Sequence, residues 1–406
     1  MSDPHQGLSQ YVQAEAPQLI GSLTRQLGNF HVAEDAVQDA IVEAVRRWPE
    51  AGVPREPGAW LRVTARRKAT DRLRREAKIA GRLSVLAELQ DIDADAVPPV
   101  ADDRLVLLFM CCHPSLSREA QVALMLRCLL GLTTAQLAKA FLTSEGTMTK
   151  RIVRAKRKIV EASIPFALPS GGEAAARLGE VLTSIYGMFN EGYLSAGPDA
   201  TDRADLAEDA EWLAGLVHHL LPDEPEVIGL LALIRLQHAR RRARFNGADI
   251  VLLRDQDRAL WDRPAIDRAL ELLNLALRKQ HPGPYQVQAA IAGCHAVARS
   301  WEATDWSLIV TLYEQLVELT QSPIAELNRA IALSHRDGAA AALTAIAPLA
   351  ERLDSYHLYH AARAEFLREL GRPAEAGRAD RRATSLTSNP AEVQLLRERV
   401  LRDEAM

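Results

Sequence analysis

Leu132-Thr133-Thr134-Ala135-Gln136-Leu137, followed by Ser144-Glu145-Gly146-Thr147-Met148-Thr149-Lys150-Arg151-Ile152-Val153-Arg154-Ala155-Lys156-Arg157-Lys158-Ile159-Val160, decides the architecture. Thr133 and Gln136 have the spacing of a capping box, and Leu132 and Leu137 stand where a hydrophobic staple belongs. They predict a short helix over 134–141. Residues 142–144 form the turn, with Ser144 as N-cap. A second helix follows over Glu145–Val160. Met148, Ile152, Ala155 and Ile159 recur on one apolar face. Thr147, Arg151, Arg154 and Lys158 stand on another face, with Lys150, Lys156 and Arg157 adding charge alongside. This is a helix-turn-helix, whose second helix enters the major groove in DNA-binding proteins.

Working towards the N-terminus, residues 84–103 hold Glu88, Asp91, Asp93, Asp95, Asp102 and Asp103 and no Lys or Arg, and Pro98-Pro99 stops any helix there. This stretch reads as an acidic linker, 83–103, between two helical domains, 8–82 and 104–164. In the first domain Ala36, Val37, Ala40, Ile41, Ala44 and Val45 form an apolar stripe, while Asp35, Asp39 and Glu43 stand four apart on a neighbouring face. A Pro- and Gly-rich loop, Pro49–Gly58, precedes Trp60–Arg82, which carries nine Lys/Arg against Asp71 and Glu76.

Towards the C-terminus, Pro165–Gly172 is rich in helix breakers and predicts a domain boundary. Beyond it, residues 173–406 read as helices. Ala325–Ser334 pairs with Ala339–Leu353 across Gly338, and Leu358–Leu370 with Pro373–Leu386 across Gly371. The two glycines are 33 apart, close to the tetratricopeptide period of about 34 residues. Earlier pairs at Glu173–Tyr193, Leu206–Leu221, Glu224–Arg244 and Arg258–Gln280 are less regular. The expected fold is therefore all-α: two small helical domains, an acidic linker and a tetratricopeptide-like helical array.

The 406 residues carry a formal net charge of -4, which conceals a split. Residues 1–165 sum to +4 and the remainder to -8. No apolar run approaches the ~18 residues of a membrane span; the longest, near Val227–Ile234, is broken by Gly229. The polar N-terminus lacks the apolar core of a signal peptide. Cys111, Cys112, Cys128 and Cys294 form no Cys-x-x-Cys pair, so neither a disulfide framework nor a zinc ribbon is indicated. A cytoplasmic protein of a reducing compartment follows, without membrane contact, metal or other cofactor. No phosphate-binding, nucleophile-elbow, zinc-protease or dinucleotide motif is present, and no catalytic residue is expected.

Two segments resemble a known family. Ala33-Glu34-Asp35-Ala36-Val37-Gln38-Asp39-Ala40, Pro57-Gly58-Ala59-Trp60-Leu61 and Ala65–Arg75 resemble region 2 of extracytoplasmic-function sigma factors. Leu130–Thr133 with Ser144–Lys156 resembles region 4 of the same family. Asp102-Asp103-Arg104-Leu105 to Cys111-Cys112-His113-Pro114, Phe189–Tyr193 and Asp255–Trp261 resemble the subgroup with a tetratricopeptide-like extension. That subgroup is commonly encoded beside small DGPF-motif, YCII-related proteins.

The resemblance implies a promoter-specificity subunit of RNA polymerase. Glu34, Asp35, Gln38, Asp39 and Glu43 would dock on the β′ clamp coiled coil of the core enzyme, and region 4 on its β flap. Arg62, Arg66, Arg67, Lys68, Arg72, Arg74 and Arg75 would meet promoter DNA at the -10 element, where Lys and Arg neutralise phosphates. Arg67 stands where many members carry Asn, which puts the -10 preference in question. Thr147, Thr149, Lys150, Arg151, Arg154, Arg157 and Lys158 would meet the -35 element, with Arg151 and Arg154 the best readers.

Plainer readings stand beside these. Trp48 and Trp60 fit a core better than a base stack. Cys111-Cys112-His113 reads as buried thiols, because adjacent helical residues diverge by ~100° and fit one tetrahedral metal poorly. Arg240-Arg241-Arg242-Ala243-Arg244 reads as a solvated helix end. The linker either threads towards the polymerase active centre, as in the family, or is a charged tether. The array either inhibits or supports the DNA-binding half, or holds a protein partner. Two other functions compete: a helix-turn-helix regulator with a ligand- or protein-sensing repeat domain, which leaves residues 30–82 unused, and a repeat scaffold, which uses 173–406 only.

Overall fold

The computed structural model describes residues 4–79, 102–141, 143–193, 200–246, 249–387 and 389–404. They divide into two compact units, Met1–Met188 and Phe189–Met406.

Unit 1 contains α1 (Pro4–Leu27), α2 (Phe30–Ala51), α3 (Pro57–Ile79), α4 (Asp103–Cys111), α5 (Arg118–Leu130), α6 (Thr134–Ala140), α7 (Glu145–Glu161) and most of α8 (Gly172–Tyr193). Short polar side chains start these helices where the backbone would otherwise leave N–H groups unpaired. Asn29 caps α2, Asp102 caps α4, Ser117 caps α5, Thr133 caps α6 and Ser144 caps α7. Gly131 ends α5 at φ 68°, a left-handed conformation that costs a glycine little.

The α2 stripe is buried at Ala36, Val37, Ala40, Ile41 and Ala44, but Val45 is 47% exposed. Trp48, one turn beyond Ala44, takes the buried place instead. α2 also runs through Pro49 to Ala51, so the loop before α3 is shorter than Pro49–Gly58. α1 packs against α4 and α5 as well as α2. It comes closest at Gly21, where an added Cβ would stand 2.5 Å from the Asp103 Cβ and 3.1 Å from its carbonyl oxygen.

Unit 1 does not end at Pro165–Gly172. Val181, Leu182 and Ile185 of α8 are buried. Arg177 donates to the Phe109 carbonyl at 2.7 Å, and Ser184 Oγ donates to Gln121 Oε1 at 2.8 Å. The breaker-rich stretch is a turn inside the unit, because the next helix returns to α4 and α5.

The linker's Glu88, Asp91, Asp93 and Asp95 lie outside the described residues. Asp102 and Asp103 are not free linker charges. Asp102 accepts from the Arg104 backbone N–H at 2.9 Å, and buried Asp103 pairs with Arg25 at 2.8 Å.

Unit 2 contains α9 (Ala200–Leu220), α10 (Pro225–His238), α11 (Arg241–Arg244), a two-residue antiparallel ribbon of β1 (Phe245–Asn246) and β2 (Asp249–Ile250), and then α12 (Arg263–Leu277), α13 (Pro284–Val297), α14 (Trp306–Thr320), α15 (Pro323–Asp337), α16 (Ala339–Ile346), α17 (His357–Glu369), α18 (Pro373–Leu386) and α19 (Pro390–Glu404). The apolar run Val227–Ile234 is the middle of α10, buried on every side. Such all-round burial is what a helix apolar on all faces requires in a globular core. Gly338 and Gly371 sit at the turns of the two regular pairs with φ 90° and 69°. Leu327, Ala342, Ile346, Leu353, Tyr359 and Phe366 fill the space between those pairs. Among the described residues no helix is long and apolar enough to cross a membrane.

Candidate nucleic-acid interface

α6 and α7 carry the helix-turn-helix. Gln136 N–H donates to Thr133 Oγ1 at 3.2 Å, and the Gln136 side chain accepts from the Thr133 N–H at 2.9 Å. This closes the capping box. Ser144 accepts from the Thr147 N–H at 3.2 Å. Met148, Ile152, Ala155 and Ile159 are all buried, so the opposite face of α7 is presented outward. Thr147, Thr149, Lys150, Arg154, Arg157 and Lys158 are exposed. Arg151 is half-buried, with its guanidinium 5.3 Å from the centre of the Phe141 ring. Arg157 pairs with Glu161 at 2.5 Å.

α3 presents Arg62, Arg67, Arg74 and Arg75 to solvent and Arg66 partly so. Lys68 and Arg72 are held by α2: Lys68 pairs with Glu43 at 2.7 Å, and Arg72 pairs with Asp35. Arg67 stands 3.9 Å from Glu43. Trp48 is core, and half-buried Trp60 meets it edge-on at 5.4 Å and 68°.

The acidic face of α2 is the least expected part of the site. Asp39 is exposed and Gln38 half-buried. Glu43 is held below the usual carboxylate range by the hydrogen bond from Lys68. Glu34 is 0% exposed. It pairs with Arg127 of α5 at 2.5 Å and with Lys156 of α7. Lys156 also donates to Asp35 at 2.6 Å. Burial works most strongly against the Asp35 charge, yet hydrogen bonds from His31 and Lys156 hold its carboxyl well below the usual range.

Lys156 therefore does not add to the solvent-facing charge of α7; it is 4% exposed and points into the unit. The helical register carries the signal for both residues. Glu34 lies three before Val37 and seven before Ile41, and Lys156 lies four after Ile152 and three before Ile159. Two opposite charges on apolar stripes are a pair in search of each other.

The remaining candidates resolve simply. Cys111, Cys112 and Cys128 are buried free thiols. Burial pushes Cys112 up to about 12, and its Sγ lies 3.2 Å from Met125 Sδ. Among the described residues no cluster of three His, Cys, Asp or Glu could hold a metal. The arginine run of 240–244 is not a solvated helix end. Arg240 lies over the Trp261 ring and Arg244 over Tyr193 at 4.3 Å, leaving Arg241 and Arg242 exposed.

Residues 11–79 match the family described as Sigma-70 region 2, and residues 107–159 match Sigma-70, region 4. The chain belongs to the sigma-70 family of RNA polymerase sigma factors. Residues 177–277 of the sigma factor match a family of unknown function, DUF6596. It is 45% identical over 391 residues to a protein of Rhizobium meliloti (strain 1021) that is named only as uncharacterized. The match covers 94% of this chain and 92% of that one. No solved structure matches the chain. The region 2 match begins inside α1 and ends with α3, and the region 4 match begins inside α4 and ends two residues before the end of α7. The match to the family of unknown function begins at Arg177, inside the helix that completes unit 1.

Proposed function

We propose that this sigma factor is of the extracytoplasmic-function type and directs core RNA polymerase to promoters with -35 and -10 elements. It falls in the subgroup with a tetratricopeptide-like extension, associated with DGPF-motif proteins. The observation that carries the reading is the pairing of two outward basic helices in one chain: α7 behind a closed capping box, and α3 behind the Trp48–Trp60 corner.

α7 enters the major groove at the -35 element. Arg154 and Arg151 read base edges or phosphates, and Lys150, Arg157 and Lys158 neutralise phosphates. Thr147 and Thr149 add hydroxyl contacts near the helix start. α3 meets the -10 element through Arg62, Arg66, Arg67, Arg74 and Arg75, with Lys68 and Arg72 joining once α2 releases them. α2 docks on the β′ clamp through exposed Asp39 with Gln38, Glu43 and the edge of Asp35, while Glu34 is buried against Arg127 and Lys156 and serves the unit's interior, and region 4 docks on the β flap. The polymerase does the chemistry, in the cytoplasm, and the helical array modulates activity or receives a protein partner.

Transcription in vitro with core polymerase tests the reading. Arg154→Ala and Arg151→Ala are expected to lose -35-dependent initiation and keep core binding. Asp39→Arg is expected to lose core binding in a pull-down. An Arg154→Ala protein that fails to bind core polymerase, or an Asp39→Arg protein that binds normally, overturns the assigned roles. Tight duplex binding by the wild-type protein without polymerase favours a helix-turn-helix regulator instead.

A further inference from the structure

Two segments to which the sigma-factor reading gives no task, Phe189–Tyr193 and Asp255–Trp261, meet in unit 2 around the arginine run of 240–244. Trp261 is 3% exposed. Three guanidinium groups stand against its ring, Arg258 at 4.5 Å from the centre, Arg240 at 5.7 Å and Arg263 at 5.8 Å. Arg244 lies over the Tyr193 ring at 4.3 Å. The four run from the surface inward: Arg263 is exposed, and Arg240, Arg244 and Arg258 are half-buried. Among the described residues no Asp or Glu pairs with any of the four.

Like charges gathered at partly covered positions are unfavourable unless opposite charge answers them. The C-terminal end of α13 answers two of them. Arg258 Nη1 donates to the carbonyls of His295 and Ala298 at 2.7 and 2.8 Å, and Arg263 Nη1 to that of Ala296 at 2.8 Å. These bonds complement the helix dipole and fix both guanidinium groups in place. They leave Arg258 Nη2, Arg240 Nε, Arg244 Nε and Trp261 Nε1 covered and without an acceptor. Contact with one ring offsets little of the repulsion among three cations. Burial and Arg244 both work against the Arg240 charge, and the Tyr193 hydroxyl is what favours it. The positive field also reaches His295, which burial, Arg240 and Arg258 push down to about 4, so it stays neutral beside them.

We propose that Arg240, Arg244, Arg258 and Arg263, with Trp261 and Tyr193, form a binding site for a ligand that carries an oxyanion group, a carboxylate or a phosphate. Guanidinium forks match both groups through paired N–H···O bonds. The two rings and the α13 carbonyls order the guanidinium groups beforehand, so the ligand meets cations already in place. Exposed Arg263 marks the solvent side. The site uses none of the residues assigned to DNA or polymerase and does not rest on the sigma-factor reading.

The test uses the full-length protein at fixed ionic strength, with sodium chloride as the reference salt. Thermal unfolding and calorimetric titration are measured with inorganic phosphate and, separately, with succinate. The wild-type protein is expected to bind at least one of them saturably and to be stabilised by it beyond chloride; the oxyanion bound more tightly tells a phosphate ligand from a carboxylate ligand. Arg240→Met and Arg244→Met each remove one cation and keep a side chain of similar reach, and should weaken that binding about tenfold or more. Arg242→Met, at an exposed position of the same run, should bind as wild type.

Circular dichroism establishes folding, and Arg244→Met carries the test if Arg240→Met does not fold. Failure of both oxyanions to bind saturably overturns the site. So do folded Arg240→Met and Arg244→Met proteins that bind as tightly as wild type, whether or not they lose stability, since that marks structural arginines. An equal loss of binding in Arg242→Met would reduce the effect to general charge and overturn the site as well.

Discussion

The ionic cluster where α2 meets α5 and α7 in unit 1 and the seams between successive helices of unit 2 are built from different materials. At the first, Glu34, Lys156 and Arg127 meet with little water access, and Asp35 joins them at the edge. At the second, Leu327, Ile346, Leu353, Tyr359 and Phe366 meet without charge. Where unit 2 does bury a carboxylate, at Asp380, its partner Arg368 lies on the preceding helix of the same pair, 2.7 Å away. Apolar burial is non-directional and gains stability with area. A buried ion pair gains little net stability over an apolar one but accepts only one partner geometry. The array's helices are thus held by buried area, and the contact of α2 with α5 and α7 by one ionic geometry.

The largest effect that sharpens this contrast is expected in the array. Phe366→Ala should cost about 3–5 kcal/mol in urea unfolding of unit 2; a cost near that of a surface change would mean that its seams are not the stabilising element. Ile185→Ala probes the apolar cover that α8 gives unit 1. It should cost about 2–4 kcal/mol, and hydrogen exchange should rise in α4–α7 rather than in the array. Exchange rising in α15–α18 instead would move Ile185 to the other unit.

Arg25→Met tests the ion pair between α1 and α4. It leaves Asp103 buried without its cation, at about 1–3 kcal/mol. Burial already raises the Asp103 carboxyl above its usual value against the pull of Arg25. Its penalty is therefore present at neutral pH and relieved as pH falls through the folded value. The variant should recover stability on acidification to pH 5; a flat profile would break the argument.

His31→Gln is the smallest. The hydrogen bond to Asp35 raises the His31 imidazole, so its contribution is complete below its unfolded value and lost as pH rises through the folded one. With the side chain 47% exposed, the difference between pH 5.5 and 8.5 should be a few tenths of a kcal/mol, and the variant should abolish it.

Much of this was legible in the chain. The capping box at Thr133 and Gln136, the N-cap at Ser144 and the apolar face of α7 depend on residues within one or two turns of each other, so local spacing suffices. The turn glycines 338 and 371 are equally local. The pairing of Glu34 with Lys156 spans 122 positions; register shows that each is misplaced on an apolar stripe, but not that they meet. α13 gave no periodic signal because Tyr285, Val287, Ala289, Ile291 and Ala296 are buried on several faces of it, leaving no amphipathic contrast to read. The ribbon at 245–250 is too short to carry an alternation. The break at Pro165–Gly172 misled because breakers mark the end of a helix, not the end of a core.

The core of unit 1 runs past the proline-rich turn into α8. The match to the family of unknown function begins at Arg177, and Arg177 is also the residue that satisfies the Phe109 carbonyl. A recombination joint placed at the proline-rich turn would look clean in the gene, yet it would strip Arg177 and Ser184 from α4 and α5, together with buried Val181 and Ile185. A cut that respects the fold therefore falls after α8, not before it, because the first turns of the family match are a wall of unit 1.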